Sequence, residues 1–343
     1  MPARAPSRVE LAEMPWSGPA SVEYAVLLPP EYGAESRLPL CMFLMGGGGS
    51  RDNLAAMTPF FDELWASGAL PPMVLATPST GALSYYLDHP DGSARWETLA
   101  ARDLVDHLRD KYALGRGQAM TAIAGISMGG YGALKIAFRY PDQFGAVAAL
   151  QPLLEPGFRA GDIGARNQIH FVAGGPDVLI GPGRRPAVFE SNNPANRART
   201  NADAILASEL AIYFEAGDDD VLNVQDGAEF LHRVLWELDI SHDYHLVRGA
   251  DHGGPSFLPR LRAAFTWLGT TLRAAPPASA ISAEDRAVKE WIQGGLKGPP
   301  PPVDPNTHAF VAMLRAQLAP ARDSAAKLDP TTLRRYGILP KAS

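Results

Sequence analysis

Cysteine is nearly absent from this 343-residue chain; Cys41 is the only one. A single thiol excludes an intramolecular disulfide and any zinc or iron–sulfur site built from several cysteines. Positive charge is also short. Lys and Arg number 31 against 37 Asp and Glu, a formal net charge of −6, which speaks against a nucleic-acid partner because such proteins carry a basic stripe. No run approaches the roughly 18 uncharged apolar residues that a membrane span needs, so no membrane partner is expected. Arg4 and Arg8 lie in the first ten residues, but the apolar stretch of a secretory signal does not follow them, and a cytoplasmic protein is expected. No repeat is visible, which excludes solenoids and propellers. No spacing of metal ligands stands out either, so neither a metal nor another cofactor is expected.

What is present is an ordinary globular composition, 46% hydrophobic and 20% charged, in which short apolar runs alternate with helix-like segments. Strands are predicted at Val22–Leu28, Leu38–Met45, Met73–Thr77, Met120–Ile126, Ala146–Gln151, Leu210–Glu215 and Asp243–Arg248. Several are apolar throughout rather than alternating, as in Leu40-Cys41-Met42-Phe43-Leu44, which suggests strands covered on both faces; Cys41 then reads as core filler. Helices are predicted at Glu97–Tyr112, Gly129–Arg139, Val224–Leu238, Pro259–Leu272 and Thr307–Leu318. Composition shifts at Ala274–Pro277 and at Gly298-Pro299-Pro300-Pro301-Pro302. The chain therefore divides into a main α/β domain, 1–275, and a Pro-rich linker with a helical C-terminal extension, 276–343.

Gly125-Ile126-Ser127-Met128-Gly129 fits the Gly-x-Ser-x-Gly pattern of a nucleophile elbow. It follows the most strand-like run and opens a predicted helix, the order that such a strand-to-helix turn demands. A serine hydroxyl needs a neighbouring base, and the base an orienting acid. Both types occur in loops after later strands: Gly217-Asp218-Asp219-Asp220, then Asp251-His252. His252 is the candidate base. Asp220 is favoured as the acid by its spacing from Gly217, with Asp218 and Asp219 as alternatives. Asp251 is a poor orienter, because adjacent side chains in an extended turn diverge. The other histidines read as structural or solvent-facing. An oxyanion would be met by the backbone N–H of Met128 and by a second donor in the loop Met45-Gly46-Gly47-Gly48-Gly49-Ser50. That glycine run lacks the Gly-Lys-Ser/Thr ending of a nucleotide loop.

With these motifs the chain resembles the esterase family of α/β-hydrolases, which groups esterase D and S-formylglutathione hydrolase, feruloyl and acetylxylan esterases, and the mycolyltransferases. The resemblance covers about residues 20–272. It rests on Leu27-Leu28-Pro29-Pro30-Glu31-Tyr32, the glycine loop, Gly125–Leu134 with Tyr140-Pro141-Asp142-Gln143-Phe144, Asn193-Pro194-Ala195-Asn196, the aspartate run and Asp251-His252. It implies an α/β-hydrolase fold, a mostly parallel central sheet flanked by helices. It also implies a nucleophile at Ser127, a base at His252, an acid at Asp220, and oxyanion donors at Met128 and at Gly46 or Gly47. Relatives often carry His-Gly where this chain has Met45-Gly46, which leaves the register of the second donor open.

The chemistry expected is hydrolysis of a small-molecule carboxylic ester through an acyl-enzyme on Ser127. The alternatives are acyl transfer to an alcohol at the same site, and a non-catalytic binding protein on a hydrolase scaffold. Residues 152–206 are long enough for a cap, with Phe158, Phe171, Arg184, Arg185 and Phe189 as a mixed lining suited to aryl or short acyl esters. Trp96-Glu97 and Tyr85-Tyr86 read equally as packing or as substrate contacts. The C-terminal extension is open to three roles: packing on the main domain, closing over the pocket, or a subunit contact in a homo-oligomer.

Overall fold

The computed structural model describes residues 6–16, 21–167, 186–272, 283–305 and 309–319. Strands β1 (Arg8–Pro15), β2 (Ser21–Leu28), β3 (Leu40–Leu44), β4 (Val74–Pro78), β5 (Thr121–Ile126), β6 (Ala146–Leu150), β7 (Ala211–Gly217) and β8 (Asp243–Val247) form one sheet in the order β1-β2-β4-β3-β5-β6-β7-β8. The β1/β2 and β2/β4 pairs are antiparallel and every other pair is parallel. The unbroken apolar runs are those of central parallel strands such as β3 and β6, which are buried throughout, and their side chains divide by parity between two cores. Leu40, Met42 and Leu44 of β3 enter one core, while Cys41 and Phe43 enter the other.

Helices cover both faces. They are α1 (Arg51–Ala56), α2 (Thr58–Ser67), α3 (Trp96–Thr98), α4 (Leu104–Lys111), α5 (Met128–Arg139), α6 (Pro186–Asn192), α7 (Pro194–Thr200), α8 (Ala202–Ser208), α9 (Val224–Glu237) and α10 (Phe257–Thr271). One core takes Leu104 and Leu108 of α4, Leu134 and Phe138 of α5, and Leu231 and Leu235 of α9. The other takes Phe61 and Leu64 of α2 with Leu261, Phe265 and Leu268 of α10. The ring edges of Phe43, Phe61 and Phe265 meet there at centroid distances of 4.9–6.1 Å.

Three local features depart from the expectation. The edge strand β1 is unanticipated, because its alternation is inverted: Val9 and Leu11 face outward while Glu10 accepts a hydrogen bond from the Tyr112 hydroxyl, 2.7 Å. The helix expected over Glu97–Tyr112 is interrupted by a π-helical turn, Leu99–Asp103. The wider turn buries three successive residues, Leu99, Ala100 and Ala101, and its end is tied by Trp16 Nε1–H donating to Asp103 Oδ2, 2.9 Å. The short helices α1, α6 and α8, of six or seven residues each, are too short to show a period.

By its internal contacts the chain forms two compact units, Met1–Ala275 and Pro276–Ser343. In the second, α11 (Ala283–Gln293) and α12 (Ala309–Leu318) flank the proline run in sequence and both reach it: Trp291 donates to Gly298 O, and Arg315 to Pro301 O. Among the described residues no helix is long and apolar enough to cross a membrane.

Candidate active site

Ser127 stands at a tight turn, between the end of β5 and the first residue of α5. Its φ of 56° and ψ of −117° lie where a side chain is strained, and three main-chain hydrogen bonds hold it there. Its N–H donates to Leu150 O (2.9 Å), and its carbonyl accepts from Tyr131 N–H (3.0 Å) and Leu153 N–H (3.1 Å). The glycines of the motif are required by close approach. A Cβ on Gly125 would overlap the Gly129 carbonyl, and one on Gly129 would overlap the Leu44 carbonyl at the end of β3. The turn thus presents the hydroxyl above the strand ends and at the head of a 12-residue helix, whose positive end favours nearby negative charge.

Two later loops deliver the partners. His252 follows β8, and its Nε2 accepts from Ser127 Oγ–H at 2.8 Å. Its Nδ1–H donates to Asp220 Oδ2 at 2.7 Å, the tautomer that a carboxylate on this side selects. Asp220 follows β7; its side chain is 0% exposed and its second oxygen accepts from Leu222 N–H, 2.8 Å. The imidazole is 20% exposed, open to a substrate on the serine side.

The other aspartates are separated by their tertiary partners. Asp218 accepts from Gly249 N–H (2.6 Å), and Asp219 is exposed, with its N–H on Ala250 O (3.2 Å). Asp251 Oδ1 accepts from Val221 N–H (2.9 Å) and from His252 N–H (2.6 Å), so it ties the acid-bearing loop to the base-bearing loop without touching the imidazole nitrogens. These N–H bonds hold its carboxyl below the ordinary aspartate range.

The glycine loop runs beside the nucleophile. A Cβ on Gly46 would stand 3.3 Å from Ser127 Cβ, which places this main chain against the reacting group. Gly48 N–H is spent on Ala82 O (2.8 Å) and Gly49 N–H on Gly46 O (3.0 Å), so the donors left to this loop are those of Gly46 and Gly47. Met128 begins α5, and its N–H belongs to the first turn, whose donors have no partner within the helix.

Several candidates from the sequence serve packing instead. Tyr85 meets Tyr131 edge to face at 5.7 Å, Tyr86 donates to Met45 O (3.0 Å), and Trp96 packs on Trp16. Glu97 is buried among Lys135, Arg139 and Arg197. Within the insert Phe189 is buried, and Phe158 lies between Phe230 and the Arg199 guanidinium. Phe171, Arg184 and Arg185 lie outside the described residues. Two cavities of about 380 and 440 Å³ have none of Ser127, Asp220 or His252 in their walls, so neither is the reaction chamber.

One group beside the site went unread in the sequence. Glu155, two residues after Leu153, is 2% exposed, and among the described residues neither of its carboxyl oxygens has a hydrogen-bond partner. Burial pushes this carboxyl up to about 8. The signal was legible: a lone acid among Pro152, Leu153, Leu154 and Pro156.

Residues 19–268 match the family described as "Putative esterase". The MPT51/MPB51 antigen of Mycobacterium bovis (strain ATCC BAA-935 / AF2122/97) is 35% identical over 83 residues, 24% of this chain and 27% of that protein, so the aligned stretch spans little more than a quarter of this relative. A ferulic acid esterase structure superposes with a TM-score of 0.65 at 22% identity, covering 78% of this chain and 99% of that one. An S-formylglutathione hydrolase from Agrobacterium tumefaciens superposes at 0.61 and 16% identity, covering 79% and 99%. The sheet order, the helices on both faces and these superpositions give the α/β-hydrolase fold. With a family match over most of its length, the chain belongs to this esterase family of α/β-hydrolases.

Proposed function

We propose that this protein is a serine hydrolase that cleaves carboxylic esters through an acyl-enzyme on Ser127. The observation that carries the reading is the unbroken relay from Ser127 Oγ through both nitrogens of His252 to the buried Asp220, at 2.8 and 2.7 Å.

In the first half-reaction, Ser127 Oγ attacks the ester carbonyl carbon while His252 Nε2 takes its proton. The C–O π pair moves to the carbonyl oxygen, which accepts from Met128 N–H and from a glycine-loop N–H, Gly46 or Gly47. Collapse breaks the bond to the alcohol, and His252 returns the proton to the leaving oxygen. In the second half-reaction, water loses a proton to His252, attacks the acyl carbon and releases the acid as Ser127 regains its proton. Asp220 stays ionised throughout. It fixes the tautomer and stabilises the imidazolium formed in each half. Small-molecule carboxylic esters are the substrate class.

The test is a set of p-nitrophenyl esters of graded acyl length, run with feruloyl esters and S-formylglutathione, on the full chain and on Ser127→Ala. Turnover of at least one ester, lost in Ser127→Ala, and a fluorophosphonate adduct on Ser127 are the expected results. Absence of the adduct contradicts the reading and favours a binding protein on this scaffold. Transfer rather than hydrolysis would be seen as a new ester when acceptor alcohols are added.

A further inference from the structure

The acid and base of the relay come from loops on two different strands, and what fixes the base-bearing loop lies beneath it. Glu215 in β7 is 0% exposed at its side chain and faces Arg260 in the first turn of α10, 5% exposed. Arg260 Nη1 donates to both Glu215 oxygens, at 3.0 and 3.3 Å. Its Nη2 reaches past the pair and donates to the main-chain carbonyl of Asp251 at 2.6 Å, one peptide before His252. From above, the Asp251 carboxylate binds His252 N–H and Val221 N–H. The peptide that carries the imidazole is therefore held from both sides.

A buried ion pair is a poor source of stability, since well-packed apolar residues of equal volume often serve as well or better. A function that apolar residues lack therefore has to account for it here. The planar guanidinium offers separate N–H groups on separate nitrogens, so one nitrogen can be spent on Glu215 while another reaches Asp251 O. An ammonium must make every hydrogen bond from a single nitrogen, so it does not reproduce this two-nitrogen geometry.

We propose that Arg260, seated on Glu215, is a positioning residue for His252: it fixes the Asp251 carbonyl and thereby the distance from the imidazole to Ser127 and Asp220. The inference rests on the esterase reading above. Arg260 touches no reacting atom, so its effect must pass through the histidine.

A double-mutant cycle tests this, with p-nitrophenyl acetate as the probe, kcat and KM measured for Arg260→Met and Arg260→Lys, each in the native and in the His252→Ala background. In the native background Arg260→Met is expected to lower kcat on the order of 10–100-fold with KM little changed, the scale of a misplaced catalytic group, and Arg260→Lys to recover only part of it. In the His252→Ala background the same substitutions leave the residual rate nearly unchanged, because the group they position is gone. Equal losses in both backgrounds, or an unchanged kcat in Arg260→Met, would overturn the proposal by making the pair merely structural. If Arg260→Met does not fold, the Arg260→Lys cycle decides. His252→Ala with full turnover would overturn both this inference and the hydrolase reading, an outcome distinct from equal losses.

Discussion

Glu155→Gln offers a sharp test of what burial does beside the site. The ordinary glutamate value of 4.5 applies in the unfolded chain, and the folded chain raises it to about 8. The titratable groups whose ionisation feels this carboxyl are Tyr85 and Tyr131, both themselves pushed upward by burial and so neutral. Among the described residues no cation compensates it. Below pH 4.5 both states hold the proton and the group has no effect on stability. Between 4.5 and about 8 only the unfolded chain ionises, so stability falls steadily; above about 8 the penalty is constant. At about 1.4 kcal/mol for each pH unit, the full effect is at most about 5 kcal/mol, and relaxation around the charge will reduce it. Urea denaturation of wild type and Glu155→Gln from pH 5 to 9 measures it. The advantage of the glutamine variant should grow from pH 5 to 8 and then level off, whatever its pH-independent offset. Parallel profiles would refute the reasoning, since they would mean that the carboxylate is solvated or paired.

Three further outcomes follow from the geometry. Asp220→Asn should lower kcat on the order of 10⁴-fold by favouring the wrong imidazole tautomer, whereas Asp218→Asn, whose amide oxygen can still accept from Gly249 N–H, keeps kcat within the same order of magnitude; steady-state kinetics on one ester separates the two. Burial would raise the Glu97 carboxyl, but Lys135, Arg197 and Arg139 outweigh it and hold it at about 2. Its contribution is thus complete above about pH 4.5 and is lost as pH falls toward 2. Glu97→Gln, by leaving Lys135 and Arg197 buried without their counter-charge, should cost about 3–5 kcal/mol at pH 7, measured by denaturation. Gly129→Ala should destabilise the fold by several kcal/mol, visible as a lowered thermal midpoint, because its methyl has nowhere to go but the Leu44 carbonyl.

What the sequence revealed was what is encoded locally. The central parallel strands β3 and β6 announced themselves as apolar runs because both of their faces are covered. The elbow was legible because Gly125 and Gly129 are demanded by contacts within one turn and with the adjacent strand. Spacing alone favoured Asp220 among three aspartates, and the structure brings that residue to His252, but the reason Asp218 does not go there is a bond to Gly249, 31 residues away. Arg260 and Glu215 are 45 residues apart, and no pattern in either segment marks them as partners. β1 hid because Val9 and Leu11 face outward, and the π-helical turn because one extra residue in a turn leaves the surrounding period almost intact.

The most direct measurement is the pre-steady-state course of p-nitrophenyl acetate cleavage, with the quenched protein digested and weighed by mass spectrometry. A burst of p-nitrophenol stoichiometric with enzyme, and one acetyl group on the peptide containing Ser127, are expected; both should vanish in Ser127→Ala and be strongly slowed in His252→Ala. An acetyl group on any other residue, or turnover that survives Ser127→Ala, would contradict the assignment of Ser127 as nucleophile and His252 as its base.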